Sequence, residues 1–262
     1  MKKLMYILVP ALALSIVSCN KKDTTTTPTP TPTPAATPTP PSPSVAGVDA
    51  AFVGLTMTYT TVQVGIPISL NTEIGLAAAY SAPYSATGTN TMVDVGTVKV
   101  NTVALDKDAN NTYTKTATAG QTPGDLGYSS GMQWTVTGNA NFPAINRNVF
   151  TIAPDFTDSV PSTISRSSAL SFTFNSTTTP HADSVYVVLI TGNVNKIWHF
   201  SGTAGTVTIP ASELSAFTAT STTSPGYIEV CPWNVMYTTE GLPTKNCVYI
   251  REKAIVKSVT VN

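Results

Sequence analysis

The chain of 262 residues has few of the side chains that enzymes use for catalysis. It contains two histidines, three cysteines, 14 basic and 14 acidic residues. No His-Glu-x-x-His segment, zinc-type Cys/His spacing, Gly-x-Ser-x-Gly elbow or glycine-rich phosphate loop occurs. The sequence therefore predicts no catalytic site, no metal site and no cofactor. It also lacks a basic stripe, which argues against a nucleic-acid partner.

Long apolar runs are absent except at the N-terminus. Lys2 and Lys3 precede an apolar run from Leu4 to Val17. A bilayer core about 30 Å thick needs about 20 apolar residues, so this run is too short for a permanent transmembrane helix. A short positive segment followed by such a run predicts a signal peptide over residues 1–18.

The end of this signal peptide resembles a known export motif. Ile16-Val17-Ser18-Cys19 resembles the bacterial lipobox. The resemblance implies that Cys19 receives a diacylglycerol and, after cleavage, an acyl chain such as palmitate, which would anchor the protein in the membrane. Position 20, directly after the cysteine, holds Asn and not Asp, and in this the chain resembles the lipoproteins that are directed to the outer membrane. Whether the protein faces the cell surface or the periplasm stays open. The alternative is a free or disulfide-bonded cysteine after an ordinary signal peptide.

A proline-rich segment separates the cysteine from the rest of the chain. Thr24 to Ser44 repeats Thr-Pro and has almost no large apolar side chain, so residues 19–44 are predicted to be a disordered tether. In a polyproline II conformation the Thr24–Ser44 stretch spans up to about 65 Å. A passive spacer and a proline-rich ligand both fit. The lipobox, tether and Thr/Ser/Asn-rich remainder together resemble cell-envelope lipoproteins of the Bacteroidota.

The remainder predicts an all-β fold with two immunoglobulin-like β-sandwich modules, residues 45–153 and 154–262. Short alternating stretches such as Phe52 to Tyr59 are typical of half-buried strands, and about seven strands per hundred residues suit such sandwiches. Two prolines and the acidic residues Asp155 and Asp158 interrupt the alternating pattern around residues 153–161 and place the boundary there. Leu76 to Tyr80 fits a helix or a strand, Gly96 predicts a bulge, and Pro210 to Phe217 predicts a short helix.

Cys231 and Cys247 are the cysteines left after Cys19. Their midpoint lies in the turn-like segment Tyr237 to Gly241, so a symmetric hairpin would place them opposite each other and allow a disulfide. Pro243 complicates this hairpin, because it cannot donate to a central ladder, and it predicts a return strand from about Lys245. Two buried thiols are the alternative.

Acidic residues offer two weak sites. The segment from Asp106 to Asn111 starts with oxygen ligands at alternate positions, Asp106 and Asp108 among them, as a calcium-binding loop does. It lacks the glycine and the final glutamate of such a loop, so a hairpin turn at Asn110-Asn111 is the preferred interpretation. Asp155 and Asp158 have the side chains of a glycosidase pair but lie in the predicted linker.

Aromatic side chains suggest a binding platform instead. Trp233, Tyr80 and Tyr84 could present flat faces to a sugar ring, although tryptophan in a small sandwich commonly fills the core. Asp23-Thr24-Thr25 and Asp158-Ser159-Val160 resemble the acceptor for O-glycosylation in Bacteroidota, which makes Thr24 and Ser159 candidate sites.

We therefore predict a lipid-anchored, non-catalytic envelope protein of the outer membrane that binds or adheres to a polysaccharide or an envelope protein. A structural subunit of an envelope complex shares every feature of this prediction. A glycan hydrolase built from the aspartates named above is the alternative from a different class, and it requires paired carboxylates in a cleft.

Overall fold

The computed structural model describes residues 44–63, 66–116, 126–150, 159–173 and 182–262. Their regular secondary structure is almost entirely β-strand, which confirms the predicted all-β, sandwich-type fold. The elements are β1 Ala50–Gln63, β2 Ile66–Ala79, β3 Val98–Val100, β4 Val103–Ala104, β5 Asp106–Lys107, β6 Tyr113–Thr116, a 3-10 turn Tyr128–Ser130, β7 Gln133–Val136, β8 Ile145–Asn148, β9 Thr163–Ile164, β10 Leu170–Thr173, β11 Ser184–Thr191, β12 Val194–Ser201, β13 Thr206–Ile209, α1 Ala211–Leu214, β14 Gly226–Glu240 and β15 Lys245–Val261.

The largest sheet of the described residues has nine strands and is called the long sheet below. Its order is β12-β11-β14-β15-β1-β2-β6-β5, and the short β9 also pairs with β15. β1 runs parallel to β15 from Ala50 opposite Cys247 to Thr60 opposite Lys257. The first strand of the described chain therefore pairs with the last one.

The sheet contains strands from both sides of the predicted boundary between residues 153 and 154. β14 and β15 have 15 and 17 residues, well above the usual strand length, and both are rich in β-branched side chains. The boundary itself stays a prediction, because residues 151–158 lie outside the described part of the chain.

Two small sheets cover one face of the long sheet. The sheet β4-β3-β7-β8 encloses a first core that contains Phe52, Trp134 and Tyr249. The two-stranded sheet β10-β13 and α1 enclose a second core that contains Val187, Ile209 and Val261. Tyr249 and Val261 are both odd-numbered residues of β15, and side chains alternate between faces along a strand, so both cores lie on the same face.

The even-numbered residues of β15 lie on the opposite face. Val248 and Ile250 belong to one apolar cluster there, and Ala254 and Val256 to another. β15 is therefore buried on both faces, which explains its nearly continuous apolar composition.

Several local predictions can now be compared with the structure. Leu76 to Ala79 is strand, since it pairs with β1. Gly96 has a φ of 83°, and the strand near it is limited to Val98–Val100. α1 follows Pro210 as predicted, and Leu214 is fully buried in the second core. β15 begins at Lys245, as Pro243 predicted.

Candidate functional site

The predicted disulfide is not formed. Cys231 and Cys247 are free, buried thiols. The turn of the hairpin lies three residues later than the sequence suggested, because Glu240 pairs with Lys245 and Cys247 pairs with Thr238. Cys247 therefore belongs to the first core, whereas Cys231 lies on the opposite face of the sheet.

Burial also makes both thiols poor nucleophiles. It raises the pKa of Cys247 to about 12 and the pKa of Cys231 well above its ordinary value. Because the thiolate is the reactive form of cysteine, neither side chain is activated for catalysis or for disulfide exchange.

The predicted aromatic platform is wrong for Trp233 and Tyr80. Trp233 has no exposed surface, and its ring lies 5.6 Å from the ring of Tyr186. Tyr80 is 7% exposed and contacts Tyr84 at a ring distance of 5.1 Å. Tyr84 is partly exposed. Trp233 thus packs inside the protein, as the alternative interpretation held.

Tyr237 takes the place that Trp233 was expected to have. It lies on the same strand and the same face, four residues further along β14, and it is 53% exposed. It borders an open groove of about 460 Å³. This groove, called the Tyr237 groove below, is lined by Ser44, Ala46, Gly47, Val48, Tyr237, Thr238, Thr239, Asn246 and Cys247.

One wall of the groove is the segment that leads into β1. The Tyr237 phenol donates a hydrogen bond to the Ser44 carbonyl (3.1 Å) and accepts one from the Ser44 amide (3.0 Å). Gly47 has a φ of 78°, which glycine adopts without strain, and its amide donates to the Tyr84 carbonyl (2.9 Å). The partly exposed Tyr84 therefore lies beside the groove.

Asp49 fixes this wall to the start of β15. Its carboxylate accepts a hydrogen bond from the Asn246 amide (2.8 Å) and lies 3.3 Å from the Lys245 ammonium. Its own amide donates to the Asn246 carbonyl (2.7 Å). Since Asp49 is 7% exposed, these contacts keep its charge compensated in a nearly buried position.

The chemistry of the groove is that of a neutral polar ligand site. The lining supplies the exposed aromatic face of Tyr237, threonine hydroxyls and the side-chain carboxamide of Asn246, but no charged side chain. The Thr238 hydroxyl already donates to Glu240 (2.7 Å), which leaves its oxygen as an acceptor. Hydroxyls and amides both donate and accept hydrogen bonds, and an aromatic face packs against apolar C–H groups. The groove offers contacts for a polyhydroxylated molecule.

Of the aspartates proposed for calcium binding or hydrolysis, Asp106 and Asp108 lie in the described part of the chain. Asp106 lies 3.1 Å from Lys115 on an exposed hairpin. Asp108 accepts a hydrogen bond from the Asn111 amide through its carbonyl, and Asn111 has a φ of 64°, which confirms the predicted hairpin turn. Asp155 and Asp158 lie outside the described residues. Within the described part, no group of three or more His, Cys, Asp or Glu side chains could hold a metal ion.

The two candidate glycosylation residues differ in what the structure says of them. Ser159 is exposed, and its hydroxyl donates to the carbonyl of Thr173. Cys19, Thr24 and the tether fall outside the described residues. Glycosylation at Thr24 and Ser159 and lipidation at Cys19 stay predictions.

The described residues include four buried glutamates, which sequence reasoning missed, and two of them lie at the centre of the long sheet. Glu229 and Glu252 lie on β14 and β15 and are 9% and 5% exposed. A charged residue within an alternating strand predicts an outward side chain, and this rule fails in strands that are buried on both faces. The apolar neighbours on both sides of Glu229, namely Ile228 and Val230, were the available signal.

Comparison with known proteins adds no name to this geometry. No protein-family model matches the sequence, and no curated protein matches it. In the described part of the chain, no helix is long and apolar enough to cross a membrane.

Proposed function

We propose that this protein is a lipid-anchored envelope protein whose folded part binds a glycan in the Tyr237 groove without cleaving it. The observation that carries the proposal is the half-exposed ring of Tyr237 beside a groove of about 460 Å³ lined by neutral polar groups. Sugar rings present apolar C–H faces and many hydroxyls, which match an aromatic face flanked by hydroxyls and an amide.

The position of the groove also supports this role. Ser44, at the root of the predicted tether, lines the groove and is bound to Tyr237 by two hydrogen bonds. A ligand in the groove would therefore be held close to the point where the folded part is attached. An envelope protein that presents a segment of neutral polar residues is the other occupant with this chemistry.

The decisive experiment is affinity electrophoresis of the detergent-solubilised full chain in native gels that contain soluble polysaccharides, with reducing-sugar release assayed on the same samples. We expect retardation by at least one polysaccharide and no release of sugar. Tyr237→Ala removes the aromatic face and should abolish the retardation. Leu242→Ala is the matched control, because Leu242 is 88% exposed on the same hairpin but does not line the groove.

Two results would count against the proposal. Retardation that is equal in Tyr237→Ala and in the unaltered chain would place the glycan elsewhere. Sugar release would make the protein a hydrolase and would return attention to its carboxylates. If no polysaccharide retards the chain, the proposal of a glycan ligand fails, and a protein partner replaces it.

A further inference from the structure

Glu229 and Glu252 lie on neighbouring strands and on the same face of the long sheet. Trp233 pairs with Glu252 in the β14–β15 ladder, and Glu229 lies four residues before Trp233 on the same face. On β14 and β15, the side chains that lie between these two positions on that face are the small ones of Cys231 and Ala254. We call this stretch, residues 229–233 and 252–256, the joint.

Neither carboxylate of the joint forms a salt bridge with a described residue. The indole Nε1 of Trp233 is buried in the same place and has no hydrogen-bond partner among the described residues. Burial of a charge without a partner is costly, and protonation of the carboxyl group removes that cost.

Burial accordingly raises the pKa of Glu229 to about 7. Burial also raises the pKa of Glu252 to about 7, and the charge of Glu229 adds to this effect. The guanidinium of Arg251 lowers the pKa of Glu252 but does not outweigh burial. Arg251 lies on the opposite face, where it donates to the Gly54 carbonyl (3.3 Å) and to the Thr56 hydroxyl (2.9 Å).

The other titratable side chains described on this face carry no compensating charge. His199 lies edge-on to Tyr186 at a ring distance of 4.6 Å, and burial lowers the pKa of His199, which keeps its imidazole neutral near pH 7. Cys231 has a raised pKa and stays a thiol. The ring centroids of Tyr59 and Tyr227 lie 6.3 Å apart, and burial raises the pKa of Tyr227.

The joint is also where the ladder between β14 and β15 is interrupted. Paired residues jump from Val230 opposite Ile255 to Trp233 opposite Glu252. Pro232 lies in this gap, and proline has no amide hydrogen to donate to a ladder. Val230 belongs to the second core and Tyr249, on the other side of the gap, to the first core. The gap is confined to the ladder between β14 and β15, because β15 pairs with β1 and β14 pairs with β11 through the joint without a break.

We propose that Glu229 and Glu252 form a proton-dependent switch that holds the two cores together when both are protonated and loosens the joint when they ionise. The proposal is independent of the Tyr237 groove and of any glycan. Ionisation places two like charges on one buried face beside the interrupted ladder, so the joint must admit water or separate to hydrate them.

The direction of the pH effect follows from proton uptake. Between the ordinary glutamate pKa and about 7 the folded protein binds more protons than the unfolded chain, so stability falls as the pH rises. The contribution is complete below the ordinary glutamate value and is lost as the pH passes through about 7.

The first measurement is an NMR titration of the side-chain carboxyl carbons in the full chain labelled with ¹³C-glutamate. The sequence has five glutamates, so the signals can be assigned by single Glu→Gln variants. We expect two of them, those of Glu229 and Glu252, to titrate near pH 7. Titration of all five near the ordinary glutamate value would overturn the proposal, and this outcome can be read without assigning the signals.

The second measurement is amide hydrogen exchange at pH 6 and pH 8.5, with the Glu229→Gln/Glu252→Gln double variant measured at each pH. We expect residues 229–233 and 252–256 to exchange at least about tenfold faster in the unaltered chain than in the double variant at pH 8.5, and equally at pH 6. Glu73→Gln is the control, since Glu73 is a buried carboxylate of the same sheet that accepts a hydrogen bond from the Leu126 amide (2.9 Å). Equal exchange of the unaltered chain and the double variant at both pH values would contradict the switch.

Discussion

The two ends of the β14–β15 hairpin bury carboxylates in opposite ways. Near the turn, Glu240 accepts hydrogen bonds from the Arg147 guanidinium (2.9 and 3.0 Å), from Thr238 (2.7 Å) and from Tyr249 (3.1 Å). In the joint, Glu229 has no salt-bridge partner among the described residues. Both glutamates are less than 10% exposed.

The difference shows that partners, rather than burial alone, decide the charge of a buried acid. Burial by itself would raise the pKa of Glu240, but the hydrogen bonds and the charge of Arg147 outweigh it and lower the pKa. Burial alone acts on Glu229 and raises its pKa to about 7. Folding therefore favours the anionic form of Glu240 and the neutral form of Glu229.

The largest expected effect comes from removing the aromatic side chain of the joint. Trp233→Ala should lower the free energy of unfolding by roughly 3–5 kcal/mol, because it leaves a large cavity in a fully buried site. Tyr237→Ala, on the same strand and face but half exposed, should cost less than about 1 kcal/mol. Urea unfolding of both variants checks the prediction, and equal costs would contradict the assigned burial.

Smaller effects are expected at Glu240 and Glu229, where substitution should change the free energy of unfolding in opposite directions. At pH 8, Glu240→Met should lower the free energy of unfolding by about 2 kcal/mol, because it leaves Arg147 and two hydroxyls without their acceptor. Glu229→Met should raise it by about 1–2 kcal/mol, since it replaces an uncompensated buried charge by an apolar side chain of similar size.

Urea unfolding midpoints at pH 8 and pH 5.5 measure both changes. The gain from Glu229→Met should shrink at pH 5.5, where the native glutamate is protonated and neutral. The loss from Glu240→Met should persist at pH 5.5, because the pKa of Glu240 is lowered. A loss of stability in both variants at pH 8 would show that Glu229 has a stabilising partner.

The smallest expected effect concerns the thiols. Reducing agent should leave the melting temperature unchanged, since Cys231 and Cys247 are free. Both should resist a thiol reagent in the folded protein, because burial raises the pKa of each. If the joint loosens at alkaline pH, Cys231 should react sooner than Cys247 at pH 8.5, as read by mass spectrometry of labelled peptides. An intact mass two hydrogens below that of the reduced chain would contradict the free thiols.

Local patterns in the sequence predicted the fold class well. Alternation of apolar and polar residues indicated most strands, the Asn110-Asn111 turn was confirmed by the φ of Asn111, and Pro243 correctly predicted where β15 begins. Each of these features depends on neighbours within a few residues of sequence, which is the range over which turn chemistry and periodicity operate.

Features that depend on distant pairing were not predictable in this way. The disulfide prediction was wrong because a shift of the hairpin turn by a few residues moved Cys231 and Cys247 to different faces. Trp233 was placed on the surface because nothing local to it shows that Tyr186 packs against it. The buried glutamates were missed because their strands are covered on both faces, which only the assembled sheet reveals.

The parallel pairing of β1 with β15 constrains the order in which the protein can fold. Ala50 meets Cys247, which lies 197 positions later in the chain. β1 can form its hairpin with β2 as soon as both are made, but its other edge stays open along eleven residues until the last strand arrives. Non-local pairing of this kind slows folding and leaves a strand edge exposed to other chains. The central sheet can therefore be completed only after residues 245–261 have been made.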